Sequence, residues 1–151
     1  MLSIAIGCDD AAIDMKNQIL AFLQNKNITV VDYSCDQQRE PTIYPDIAVQ
    51  VAQAIKDGKH ERGILICGTG IGMSITANKV LGIRAAQCHD PFSAQRARKS
   101  NNAQIICLGA RVIGVELAKT LVDTWIECDF DGGSSTEKVE RISYYEQRQN
   151  L

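Results

Sequence analysis

The sequence predicts a doubly wound α/β fold, a three-layer α/β/α sandwich around a five-stranded parallel sheet. Short apolar runs alternate with helical periodicities five times along 151 residues. One run, Ile64 to Ile66, is apolar on both faces, as in a strand covered on two sides. It passes straight into Cys67-Gly68-Thr69-Gly70-Ile71-Gly72, a glycine turn that opens a helical pattern. Sheets of this kind bind ligands at such strand–turn–helix joints.

Leu2 to Gly7 reads as the first strand, ending at Cys8-Asp9-Asp10. Asp14 to Leu23 follows as a helix, with Ile13, Ile19, Leu20 and Leu23 on one stripe. Ile28 to Val31, rich in β-branched residues, is the second strand. Ser34 to Pro41 is polar and aperiodic, hence a loop. Pro45 suits the first turn of a helix to about Lys56, where Ile47, Val51 and Ile55 recur at helical spacing. The third strand and glycine turn come next, then a helix to about Asn78. Ile83 to Gln87 is the fourth strand, Pro91 to Arg98 a helix, and Gln104 to Leu108 the fifth strand. A helix from Glu116 to about Glu127 and a turn at Asp131 to Ser135 precede a last helix, with Ser135 or Thr136 as its cap. No repeat or linker interrupts the chain, so residues 1–151 read as one domain. The carboxyl ends of the strands gather Cys8, Asp9 and Asp10; Cys67 to Gly72; Cys88 to Asp90; and Gly109 to Arg111 into one expected crevice.

A net charge of −2 supplies no basic field for nucleic acid or an anionic membrane surface. No apolar run reaches the roughly 20 residues of a membrane span. Met1 to Ile4 lacks the basic start of a signal peptide, so a cytoplasmic protein is expected. The six cysteines form no C-x-x-C pair, and no metal site is read from them. Each is expected to be a free thiol, inert at Cys35 and Cys128, with Cys8, Cys67, Cys88 and Cys107 at or near strand ends.

Four chemistries compete for the glycine turn. A P-loop needs lysine and a hydroxyl residue where Met73-Ser74 stands. A dinucleotide fingerprint needs G-x-G-x-x-G, and this turn is one residue off, although Asp90 lies about 20 residues on. A cysteine phosphatase needs an arginine closing the loop, and none occurs between Cys67 and Arg84. The fourth chemistry uses Cys67 as a proton-transfer base, with an enediolate-like anion held by N–H groups of Gly68, Gly70, Ile71 and Gly72 and by the Thr69 hydroxyl. A buried cysteine beside a turn that merely packs tightly remains the alternative. One of Asp9 and Asp10 is expected to bind a substrate hydroxyl and the other to cap the following helix. His60 is expected to be solvated, His89 to lie at the surface, and the cationic run Gln95 to Lys99 to be a solvated face. Arg111 is well placed for an anionic substrate.

Taken together, Ile4 to Asp9, Tyr44-Pro45, Gly63 to Gly72, Ala77 to Lys79, Gly82 to Ala86, Ser93-Ala94, Gly109 to Gly114 and Leu117-Ala118 resemble the type B ribose-5-phosphate isomerases and the galactose-6-phosphate isomerase subunits. The resemblance implies a Rossmann-like fold and an aldose–ketose sugar-phosphate isomerase of carbohydrate metabolism, needing no cofactor or metal. It implies a homodimer or dimer of dimers whose sites draw on two subunits. By it, Cys67 shuttles the proton, Thr69 and Gly68 to Gly72 hold the enediolate, Asp9 and Asn101 hold hydroxyls, and Arg111 faces phosphate. Three parts of the expected site depart from the family. Asp10 stands where histidine is usual, Ser100 where the ring-opening histidine is usual, and Ser134-Ser135 with Lys138 where the arginine-rich phosphate clamp is usual. Ribose 5-phosphate of the pentose phosphate pathway is the expected substrate. The alternatives are galactose 6-phosphate, allose 6-phosphate or a tetrose phosphate, a paralogous partner subunit that supplies the missing groups, or a non-catalytic sugar-phosphate or nucleotide binder.

Overall fold

The computed structural model describes residues 2–148; Met1 and residues 149–151, part of the one-domain reading and of the terminus weighed as a signal peptide, lie outside them. Strands β1 (Ser3–Cys8), β2 (Thr29–Asp32), β3 (Arg62–Cys67), β4 (Ala85–Gln87) and β5 (Ile105–Gly109) form one parallel sheet in the order β2-β1-β3-β5-β4. The helices are α1 (Ile13–Asn25), α2 (Tyr44–Lys56), α3 (Ile71–Ala77), α4 (Pro91–Lys99), α5 (Val115–Glu127) and α6 (Ser134–Glu146). This is the expected α/β/α architecture. Among the described residues no helix is long and apolar enough to cross a membrane.

The two-residue period of a strand sorts the core into two layers. Ile4 and Ile6, Ile64 and Ile66, and Ile106 and Leu108 face α1, α4 and α5, where Ile19, Leu23, Leu121 and Trp125 meet them. Ala5, Leu65, Cys67, Ile105 and Cys107 face α2 and α3, against Ile47, Val51 and Met73. Cys67 therefore points to the α3 side of the sheet because Leu65 does. Each fully buried isoleucine or leucine contributes about 1.5–3 kcal/mol, so the alternation fixes the register firmly.

Several local expectations change. The loop after β2 holds a 3₁₀ turn at Cys35–Gln37, and Cys35 is partly exposed. Helix α6 begins at Ser134 with Gly133 ahead of it, and neither Ser135 nor Thr136 caps it through a side chain. Cys107 lies within β5 and is fully buried. Arg98, expected on a solvated face, is buried. Its guanidinium donates to the carbonyls of Ala103 and Cys128, and Arg62 donates to those of Trp125, Ile126 and Cys128. The last carbonyls of a helix run out of intrahelical donors, and here buried guanidinium groups donate to them. Burial holds the Arg98 pKa down, to about 10.

His60, expected in solvent, is also buried, with Nδ1 2.8 Å from the Ser3 hydroxyl and Nε2 2.9 Å from the Tyr33 hydroxyl. Burial, assisted by Lys59, lowers its pKa. The unfolded chain therefore takes up the proton first. Stability from this group is complete above the unfolded value of about 6.5 and falls as pH drops below it. Urea midpoints measured at pH 7.5 and pH 5.5 should fall more for the wild type than for His60→Gln. Equal falls would remove His60 as a source of acid sensitivity, because His89 and the carboxylates are common to both proteins.

Candidate active site

The registers Cys8↔Ile66 and Cys67↔Gly109 bring the carboxyl ends of β1, β3 and β5 to one level. Asp9 caps the 3₁₀ turn Asp10–Ala12 by accepting the Ala11 N–H at 3.1 Å. Burial raises its pKa, while the Ala11 N–H and the Arg111 charge pull it down. Asp9 is thus both cap and crevice wall, and Asp10 is exposed at its rim. Both line a cavity of about 440 Å3 with Cys35, Ile43 and Tyr44.

Cys67 ends β3 and is 5% exposed. Its Sγ accepts the Gly70 N–H at 3.1 Å, an arrangement that suits negative charge on sulfur. The turn returns at Gly70 with φ +78°, a left-handed conformation in which a Cβ would lie 3.0 Å from the Leu108 carbonyl carbon. Thr69 Oγ1 accepts the Ile71 N–H at 3.2 Å, which leaves its hydroxyl proton free to donate outward. Among the described residues, the N–H of Thr69 has no protein acceptor. Helix α3 spans only seven residues, so local N–H groups rather than a long helix dipole supply the positive potential. Burial pushes Cys8 up to about 12 and Cys88 up to about 11, and raises Cys107 as well.

Arg111 closes the top of the turn. Its N–H donates to the Gly68 carbonyl at 3.0 Å, and its guanidinium lies 3.4 Å from where a Gly68 Cβ would stand. Tyr44, at the start of α2, covers Gly72 so closely that a Cβ there would clash with its ring. This tyrosine joins the cavity to the turn. It went unassigned because its contact spans 28 residues of sequence (44 to 72) and follows from no local pattern. His89, expected at the surface, is half-buried and takes the Gly109 N–H on Nε2 at 2.9 Å.

Asp9, Asp10, Cys67 to Gly72 and Arg111 are thus brought together, while Ser100, Asn101 and Lys138 are not. Ser100 and Asn101 precede β5 at the amino end of the sheet, a strand length of roughly 15 Å from Cys67. Asn101 lines a separate cavity with Asn78, Arg84 and Ile142. The Ser100 hydroxyl receives both Nε and Nη2 of Arg96, at 2.8 and 2.5 Å. Lys138 is exposed on α6. A cavity of about 460 Å3 lies on this side between Lys79, Leu81, Arg84, Ile142 and Glu146, and no thiol lines it.

The model of the ribose/galactose isomerase family matches residues 4–142. A D-erythrulose-4-phosphate isomerase from Pectobacterium atrosepticum is 66% identical over 149 residues, covering 99% of this chain and 98% of that protein. Ribose-5-phosphate isomerase B of Escherichia coli is 45% identical, covering 99% and 100%. The solved structure of Clostridium thermocellum ribose-5-phosphate isomerase B matches with a TM-score of 0.93 at 42% identity, covering 99% of this chain and 100% of that one.

Proposed function

We propose a substrate for this protein on the premise just established: the chain belongs to the ribose/galactose isomerase family and is an aldose–ketose isomerase of sugar phosphates. The substrate is a tetrose phosphate, D-erythrulose 4-phosphate interconverting with its aldose. Ser100 carries this reading. It stands where the resemblance places a ring-opening histidine, and its oxygen is held by the Arg96 guanidinium, which opposes a role as base. Ribose 5-phosphate closes a furanose through its O4 and must be opened. In a tetrose 4-phosphate that oxygen carries the phosphate, so no ring forms and no ring-opening group is needed. The 66% identity to a D-erythrulose-4-phosphate isomerase supports the same substrate.

In the proposed reaction the Cys67 thiolate takes the proton from the carbon beside the carbonyl. A C–H bond breaks, an S–H bond forms, and the electron pair moves onto the carbonyl oxygen. The Thr69 N–H and hydroxyl receive the resulting enediolate. The hydroxyl proton of the enediolate passes to the former carbonyl oxygen, the new carbonyl forms on the carbon that lost its hydrogen, and return of the proton from sulfur to the former carbonyl carbon completes the isomerisation. Asp9 orients a hydroxyl, and Arg111 receives the phosphate of a short substrate. No external redox partner enters this balance.

The proposal includes a second copy of the chain that supplies Ser100, Asn101 and Lys138 to the Cys67 end. Two observations support it. Ser100 and Asn101 sit at the far end of their own sheet, and α3, beside Cys67, exposes Ile71 at 51% and Ile75 at 57%. Six unbridged thiols fit a reducing, cytoplasmic compartment.

The test measures kcat/KM for D-erythrulose 4-phosphate, D-ribose 5-phosphate and D-galactose 6-phosphate, with mass determination in solution. The tetrose phosphate should exceed the pentose phosphate by about 100-fold. Ser100→His should narrow that gap by raising the pentose rate. A wild type that prefers ribose 5-phosphate overturns the tetrose reading in favour of a second one, supported by 45% identity to ribose-5-phosphate isomerase B. Turnover by a monomer would overturn the shared site.

A further inference from the structure

We propose that Gln87 and His89, at the end of β4, are positioning residues that clamp the two backbone segments forming the enediolate pocket. This inference rests on the pocket assignment made above. The last paired residue of β4 is Gln87, opposite Cys107, and the Cys88 N–H still reaches the Cys107 carbonyl at 3.2 Å. Beyond that rung β4 stops, while β5 continues to Gly109. The Gly109 N–H is left without a neighbouring strand, and a buried N–H without a partner is costly.

The His89 imidazole fills the missing rung by accepting that N–H on Nε2 at 2.9 Å. The bond fixes the tautomer, because an acceptor Nε2 leaves the neutral ring's proton on Nδ1. Burial lowers the pKa of His89 against the opposing pull of Asp90, which favours this neutral acceptor. Two residues earlier, and so on the same side of the chain, Gln87 Nε2 donates to the Thr69 carbonyl at 2.7 Å. The two gripped segments touch: a Cβ on Gly109 would lie 2.8 Å from the Thr69 backbone. The order His89, Gly109, Thr69, Gln87 is therefore a closed brace, with the Thr69 N–H and hydroxyl on the segment it holds. His89 touches no reacting atom in this scheme. It acts through Gly109 on the position of Thr69 and on the neighbouring Arg111, whose N–H bonds Gly68.

The test compares His89→Leu, which fills the space but accepts nothing, with His89→Gln, whose side-chain oxygen accepts the same N–H without titrating. Each variant is assayed on whichever phosphosugar the wild type turns over best. Exchange of the Gly109 amide is followed by NMR in the unliganded protein. His89→Leu should lower kcat about 10- to 100-fold with KM within about threefold, the pattern of a misplaced transition-state contact. Its Gly109 amide should exchange at least about tenfold faster. His89→Gln should recover most of both losses. Unchanged kcat in His89→Leu overturns the proposal, as does a glutamine variant no better than leucine. If the wild type turns over no phosphosugar, the isomerase pocket fails on that count alone. The amide measurement then decides the clamp, and unchanged exchange in His89→Leu overturns it.

Discussion

Replacing Cys67 with alanine should lower kcat for isomerisation by about 1,000-fold, within the range that a positioned general base supplies. The fold should survive. Cys67 is a small side chain at the last position of β3, and its loss removes one sulfur from a layer held by Leu65, Ile105 and Met73. The loss should fall on the chemical step rather than on binding, because no proposed phosphate or hydroxyl contact is made by the sulfur. The measurement is turnover together with deuterium uptake from solvent at the carbon beside the carbonyl. Both should drop together in Cys67→Ala. An alanine variant that exchanges deuterium as fast as wild type would remove Cys67 as the base and return it to the buried thiols of the core.

Gly109→Ala should be nearly as damaging although it removes nothing. The added methyl would lie 2.8 Å from the Cα, carbonyl carbon and oxygen of Thr69. Those atoms are backbone, so no rotamer change relieves the contact. Thr69 is also held from the other side by Gln87. The turn must move, and displacement of a positioned group by about 1 Å costs roughly 100-fold in kcat. Overpacking should also cost about 1–3 kcal/mol, seen as a lowered Tm. Gly114→Ala is the control. It has φ −82° and no atom within 4 Å of its added Cβ, so its Tm and kcat should hold. A Gly109→Ala protein with native kcat would show that the turn is not a precise pocket.

The layers of this fold were legible because apolar runs of period two and stripes of period 3.6 are local signals. The turn at Cys67 was legible for the same reason: strand, glycines and helix follow one another without interruption. What escaped was long-range pairing. His60 sits among charged residues in sequence and reads as solvent-facing, yet Ser3 of β1 and Tyr33, just past β2, arrive to bond it. Arg98 belongs to a cationic run, but the carbonyls at the end of α5 reach it from beyond β5. His89 follows a strand whose length decides its role, and only the early stop of β4 exposes the Gly109 N–H it receives. In the candidate site, Cys67, Thr69, Asp9 and Arg111 come from strand ends, which topology alone aligns. Ser100, Asn101 and Lys138 were grouped with them through a resemblance, and the single chain sends them elsewhere.

That separation along the sheet has a consequence for how such proteins diversify. Within one chain Cys67 and its glycine turn lie at one end of the sheet and Ser100 and Asn101 at the other, and distant sites contribute independently to stability. Within the same chain, substitutions at the Ser100 end can then leave the tight glycine geometry around Cys67 unstrained. The sheet of a single chain works as an insulator, keeping the packing strain of a change at one end from reaching the other.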